Sequence, residues 1–496
     1  MDPFKICYVS AEVAPFSRSG RLGDLPLNSR ELPVALKEMG QDVRLMMPKY
    51  KSINERKYTL REVIRLREVT VPLADDTKVA NGKTAFLPDS KVHVYFLSFP
   101  EYFDRKGGYG DPGAADDYPD NAERFAFFCK GVLETLKLLY WQPDVIHCAD
   151  WPTGLIPYYL KTVYRDDPFF ENTQTVLTVH NFAEQGRFSV DSAAAIAIDE
   201  DHLGPDGPCV HDGDLNFLKA GLIHADIIHV PGKVFADTLL SNPADAHGLG
   251  AVVQARKDDL VGIAGGANAL EWDPASDKRI AERFDLDTLE KKDDNKASLQ
   301  EELELSVTAE TPLVAVSTDG ADPAELEVVL KALPDILKTG AQVVVQSRKA
   351  APLADDLRKL AGAHNGQFAY VEKADAKLQH LLLAGADLTL IPSASGLTGD
   401  MHLRGLRYGA VPVLVEAGVY PEQVTAYDPG SGEGHAFWIP KFNKTAVVRS
   451  MKDALAVVGD NGGRDRLREN ALRARVAWTD AARQFLAAYE RAADKR

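Results

Sequence analysis

Cysteine is scarce in this chain. Four thiols, Cys7, Cys129, Cys148 and Cys209, are spread over 496 residues, and no two stand at the C-x-x-C spacing of a redox or zinc motif. Cys7 and Cys148 lie inside apolar runs, so buried free thiols in a reducing compartment are expected rather than disulfides or metal ligands. Long hydrophobic runs are missing too. Nothing approaches the ~18 consecutive apolar residues of a membrane-crossing helix, and "MDPFKICYVSAEVAPF" has no signal-peptide pattern. A cytoplasmic location is the expectation. Basic charge is in short supply, with 57 Lys and Arg against 73 Asp and Glu, net −16. That balance argues against nucleic acid or an anionic membrane as partner. His147, His224 and His229 form no metal triad by spacing, and "GGYGDPGAADDYPD" (107–120) lacks the period of a calcium loop. No resident metal is expected.

What the chain does have is alternation. Short β-branched runs ending in turn residues recur in the first half: "KICYVSAE", "DVRLMMP", "KVHVYFLS", "DVIHCAD", "TVLTVHN" and "DIIHVP". The second half repeats the pattern with "TPLVAVST", "AQVVVQS", "FAYVEK", "ADLTLIP" and "VPVLVE". Helical periodicity falls between them, at 28–40, 121–140, 324–338, 376–385 and 399–409. Continuous apolar strands separated by helices indicate parallel sheets covered on both faces. The expected fold is therefore α/β, with two doubly wound domains facing a cleft. The Gly-, Ala- and Pro-rich "GIAGGANALEWDPASD" (262–277) reads as the hinge. This sets domains at 1–261 and 262–474, with a last helix, 475–496, reaching across the junction. The charged stretch 278–304 reads as helix, and the acidic tracts 165–172 and 286–294 read as surface. In such folds ligands sit at the carboxyl ends of the strands, so residues just after the strands carry the information.

Those residues form blocks: "AEVAPFSRSGRLGDL" (11–25), "YPDNAERFAFF" (118–128), "HCADWPTGLIPYYL" (147–160), "LTVHNFAEQGRFS" (177–189) and "GDLNFLKAGLIHADIIHV" (213–230). "EWDPASD", "NKASLQEEL", "LRYGAVPV" and "VTAYDP" follow in order. Together they resemble the bacterial glycogen synthase and plant starch synthase family over nearly the whole chain. The resemblance implies two Rossmann-like domains of the GT-B type and retaining glucosyl transfer from ADP-glucose to an α-1,4-glucan, with no further cofactor. It also implies which positions matter. Asp150 and His180 match the family's sugar-site aspartate and histidine, and Gly20, Gly23 and Asp24 match its glycine-rich loop. Arg18 stands for that loop's lysine. Pro152 stands where many members carry a histidine. From the residues alone, Asp150 reads as a helix N-cap before "WPTGL", and His180 as a partly buried histidine bonded to a neighbouring carbonyl, and only the resemblance favours a sugar-side role for either. Trp151, Tyr158 and Tyr159 read as core or as platforms for sugar rings.

The same comparison shows losses. Arg21 replaces a glycine that lets backbone approach the ligand, and its side chain is expected to obstruct that approach. After "LVAVS", Thr318 and Pro323 stand where the family has the arginine and lysine that bind the diphosphate. No cation lies between Pro312 and Lys331. Gln346 and Arg348 replace a Gly-x-Gly turn, with Arg348 or Lys349 a partial substitute for the lost cations. In "SASGLTGDMHLRGLRYG", Gly396 replaces the family's key glutamate, Thr398 its cysteine and Asp400 its leucine. Only Gly399 is kept there to present backbone to a phosphate. Ala417, Gly418 and Val419 replace a Thr-Gly-Gly turn. Three functions follow as expectations: an inactive, glucan-binding or scaffolding homologue that partners an active synthase or branching enzyme; an active glucosyltransferase with a rearranged donor site; or a protein binding a non-sugar ligand.

Overall fold

The computed structural model describes residues 3–495 except 18, 20, 23, 24, 75, 112–115, 270, 319, 320, 348–352 and 394–398. The chain forms two units: Met1–Gly265 together with Ala481–Arg496, and Gly266–Asp480.

Unit 1 contains β1 (Lys5–Val9), β2 (Asp42–Pro48), β3 (Arg61–Glu62), β4 (Val69–Leu73), β5 (Asp76–Phe86), β6 (His93–Ser98), β7 (Val145–Ala149), β8 (Gln174–Thr178), β9 (Arg187–Phe188), β10 (Val210–His211), β11 (Asp214–Asn216), β12 (Ile227–Val230) and β13 (Leu260–Gly262). Its main sheet runs β13-β12-β8-β7-β1-β2-β6-β5-β3, with β4 paired to β5. The pairs from β13 through β6 are parallel. Residues of β7 and β8 are buried throughout, because helices cover both faces of a parallel sheet. The antiparallel edge β4-β5-β6 was not foreseen from the sequence, although β4 alternates buried and exposed as a half-covered strand does. A separate three-stranded sheet, β10-β11-β9, was also missed, because its strands are only two or three residues long.

The C-terminal region holds two helices, the second close to the expected 475–496. Helices Asn461–Arg473 and Trp478–Ala493 are separated by a segment in which Ala477 bridges Ala267. The second helix ends on unit 1, where the Tyr489 hydroxyl meets His147 Nδ1 at 2.7 Å. His147 Nε2 is 2.6 Å from Thr178 Oγ1, which is 2.9 Å from His229 Nδ1, and His229 Nε2 meets the Ile263 carbonyl at 3.0 Å. This buried chain ties the last helix to the centre of the sheet.

Unit 2 contains β14 (Leu313–Ser317), β15 (Gln342–Ser347), β16 (Phe368–Glu372), β17 (Leu388–Leu390), β18 (Val411–Val415) and β19 (Phe437–Ile439), in the all-parallel order β16-β15-β14-β17-β18-β19. Helix Pro323–Leu337 follows β14 and buries Leu326, Val329, Leu333, Ile336 and Leu337. One expectation fails here. The tract 286–294 is not all surface, because Lys292 in helix Lys291–Glu302 is completely buried. Its ammonium donates to the carbonyls of Leu383, Ala384 and Tyr408, which substitute for water. One turn later, buried Lys296 pairs with Asp387 at 2.7 Å, and Arg468 takes the other carboxylate oxygen at 2.9 Å. Two lysines of this helix face inward because carbonyls at the ends of helices Ala376–Gly385 and Met401–Arg407, and the Asp387 carboxylate, accept from them.

Candidate functional site

Asp150 directly follows β7. It is buried, with φ 58° and ψ −176°, a conformation that glycine adopts far more readily than any L-residue. Its side chain does not cap the turn that follows. Instead Oδ1 accepts the His180 backbone amide at 2.7 Å, and Oδ2 lies 2.8 Å from His180 Nδ1. Of the local alternatives for both residues, cap and carbonyl partner give way to a direct Asp–His pair between the ends of β7 and β8. With Nδ1–H turned to the carboxylate, the neutral ring keeps its lone pair on Nε2. The pair thus presents a fixed imidazole beside a buried carboxylate. That arrangement suits reading sugar hydroxyls and stabilising positive charge.

The loop after β1 adds groups that sequence reasoning did not single out. Buried Glu12 accepts from the Ser19 amide and, at 2.6 Å, from Ser19 Oγ. Ser19 Oγ in turn accepts the Arg21 amide at 3.1 Å. The Arg21 guanidinium pairs with Asp117 and, through Nη2 at 2.8 Å, with Glu184. It also lies over the Tyr109 ring, 5.4 Å from the centroid. Burial, with the nearby Glu12 carboxylate, pushes the Tyr109 phenol well above its ordinary range. Glu12 and Glu184 both fall in the quoted motif blocks, just beyond strands, which is the signal that would have found them. Arg18, Gly20, Gly23 and Asp24 lie outside the described residues.

Trp151, Tyr158 and Tyr159 are core rather than sugar platforms, each no more than 1% exposed. Gly186, at φ +63°, allows its loop to pass against Trp151: a Cβ there would sit 2.4 Å from the indole. His147 and His229 belong to the buried chain described above, and His224 Nδ1 meets the Ala220 carbonyl at 2.8 Å. All four cysteines are buried and free.

In unit 2 the strand-end loops are built differently. The Thr318 amide donates to the Gln346 carbonyl, and the Gln346 side chain donates to Ser317 Oγ at 2.6 Å. Pro323 is the first residue of its helix. Asp322 caps that helix and forms a reciprocal capping box with Glu325. The positive end of this helix therefore meets two carboxylates of its own chain. Asp400 does not stand alone. It pairs at 2.6 Å with Arg404, one turn along helix Met401–Arg407. The Arg404 guanidinium lies 4.5 Å from the Trp272 ring centroid, and Trp272 stacks on His380 at 3.8 Å. Gly399 has φ +73° and open space where a Cβ would be. Gly396, Thr398, Arg348 and Lys349 lie outside the described residues.

Comparisons with known proteins agree with this architecture. A family profile described as the starch synthase catalytic domain matches residues 5–255. A glycogen synthase of Chlorobium phaeobacteroides is 35% identical over 485 residues, 97% of each chain. Glycogen synthases of Chlorobaculum parvum and Syntrophotalea carbinolica are each 32% identical, over 98% and 99% of both chains respectively. Among solved structures, the catalytic domain of starch synthase IV from Arabidopsis thaliana, bound to ADP and acarbose, superposes with a TM-score of 0.85 at 22% identity. The match covers 99% of this chain and all of that one. The fold is thus the α/β GT-B type. The chain belongs to the glycogen synthase and starch synthase family.

Proposed function

We propose that this protein binds α-1,4-glucan through unit 1 and does not transfer glucose from ADP-glucose at the rate of an active synthase. The observation that carries the reading is the loop after β14. Thr318 and Pro323 occupy the positions at which the family resemblance calls for diphosphate-binding cations. The adjoining helix terminus is capped by Asp322 and Glu325. Glycosidic cleavage of a nucleotide sugar builds negative charge on the leaving diphosphate, and transition-state stabilisation demands cations or open amides there. Carboxylates at that point work in the opposite sense. Gly396 adds the loss of the family's glutamate. The Asp150–His180 pair supports retained saccharide binding. Such a protein would act in storage-polysaccharide metabolism as a cytoplasmic regulator or scaffold, alongside an active synthase or branching enzyme.

The second reading is an active ADP-glucose:1,4-α-glucan glucosyltransferase. It is favoured by the names of relatives that align with this chain end to end. In that case Asp150 and His180 face the sugar, and Arg18 and Arg348 take the phosphates. Titration calorimetry with ADP, ADP-glucose and maltoheptaose, combined with labelled-glucose incorporation into glycogen, separates the two. Glucan binding without nucleotide binding or incorporation upholds the first reading. Micromolar nucleotide affinity with incorporation establishes the second.

A further inference from the structure

Arg21 is a departure from the family resemblance that the structure puts to use. Its side chain joins three stretches of unit 1: its own after β1, the segments 107–111 and 116–120 through Tyr109 and Asp117, and the loop after β8 through Glu184. Both ends of this bridge are anchored. Glu12 holds Ser19, which accepts the Arg21 amide. Glu184 lies four residues beyond His180, in a loop whose turn is closed by the Glu184 amide on the Asn181 carbonyl. Tyr109 packs against Trp151, next to Asp150, at 5.7 Å between ring centroids. The guanidinium therefore lies across loops that lead to the Asp150–His180 pair, where the resemblance places a glycine with no side chain.

We propose that Arg21 is an access-determining residue: its bridge to Asp117 and Glu184 latches the loops around the Asp150–His180 pair and restricts saccharide entry. The proposal rests on the glucan-binding reading above. All three partners are part-exposed, at 34% for Arg21, 42% for Asp117 and 27% for Glu184. Pairs so placed are weakened by salt. The latch is thus poised to open with ionic strength, and to open fully when either side of it is removed.

The test compares wild type, R21G and the double variant D117N/E184Q, which leaves the arginine in place. Maltoheptaose affinity is measured by calorimetry at about 50 and about 500 mM NaCl, conditions that change the screening length roughly threefold. Backbone amide exchange is followed in 107–111, 116–120 and 180–186. Both variants are expected to bind about tenfold more tightly than wild type at low salt and to lose the wild type's salt-promoted binding. Exchange in the three segments should be faster in both. Where wild type binds maltoheptaose, equal or weaker binding by the variants with the salt response unchanged overturns the proposal whatever the exchange shows. If no protein binds maltoheptaose at either salt, the glucan reading falls. Amide exchange then decides the latch: faster exchange in both variants upholds it, and unchanged exchange overturns it.

Discussion

Asp150 grips His180 twice, accepting its backbone amide at 2.7 Å and its imidazole Nδ1 at 2.8 Å, from a backbone conformation that favours glycine. An aspartate in this conformation carries a backbone cost of roughly 1–3 kcal/mol, which its two hydrogen bonds to His180 offset.

This leads to the first prediction. Serine is as good as aspartate at a helix N-cap, so a capping role would make Asp150→Ser nearly neutral. The observed bonding predicts instead that Asp150→Ser and Asp150→Ala destabilise unit 1 alike, by about 1–3 kcal/mol, and that both abolish saccharide binding. Urea titrations with calorimetry on the same samples check both statements.

The second concerns acid. Burial holds His229 at about 3 and His147 well below its usual 6.5. Protons then bind the unfolded state more readily, so stability is full above pH 6.5 and falls as the pH drops towards the folded values. Each such group costs about 1.4 kcal/mol per pH unit in that window. Between pH 7 and pH 5, His229→Asn should lose about 2 kcal/mol less than wild type, although it starts from lower stability. Tyr489→Phe should loosen the last helix, detected as faster amide exchange in 481–493.

A third prediction addresses the buried charges of unit 2. Burial opposes ionisation of Asp387, yet Lys296 and Arg468 hold its carboxyl below the ordinary range. Its contribution is therefore present above pH ~4 and is lost as the pH falls below that. Asp387→Asn leaves buried Lys296 without its carboxylate and Arg468 with Asp293 alone as its close partner, and should cost about 3–5 kcal/mol at neutral pH. The variant should also show a shallower loss of stability below pH ~4. Calorimetric unfolding of unit 2 at pH 7 and pH 3 reads both.

The fourth is a cycle on Asp400 and Arg404. Asp400→Leu strips a partner from a guanidinium held over Trp272 and should destabilise by about 1–3 kcal/mol. The double change Asp400→Leu with Arg404→Leu should recover most of that loss, because no charge is then left unpaired. Thermal unfolding of Asp400→Leu, Arg404→Leu and the double variant beside wild type measures the coupling. A double variant whose loss equals the sum of the two single losses would show that the pair carries nothing.

What the sequence determined by itself was the alternation of buried strands with helices, and hence two parallel sheets with loops at their carboxyl ends. Side-chain burial in β7, β8, β14, β15 and β18 is set by local composition, since only continuous apolar runs suit a sheet covered on both faces. The candidates Asp150 and His180 were visible for the same reason: they come just after such runs. Tertiary structure alone decided what those residues do. Asp150 meets His180 thirty positions away, Arg21 meets Glu184 across 163, and Tyr489 meets His147 across 342. The inward turn of Lys292 is of the same kind. In sequence it belongs to a charged, solvent-like tract, and only the folded unit brings it the helix-end carbonyls of Leu383, Ala384 and Tyr408 that make its burial tolerable. Periodicity records which face of an element is covered. Which polar atom satisfies which across the sheet depends on strand order, and that is set by the packing of the whole unit.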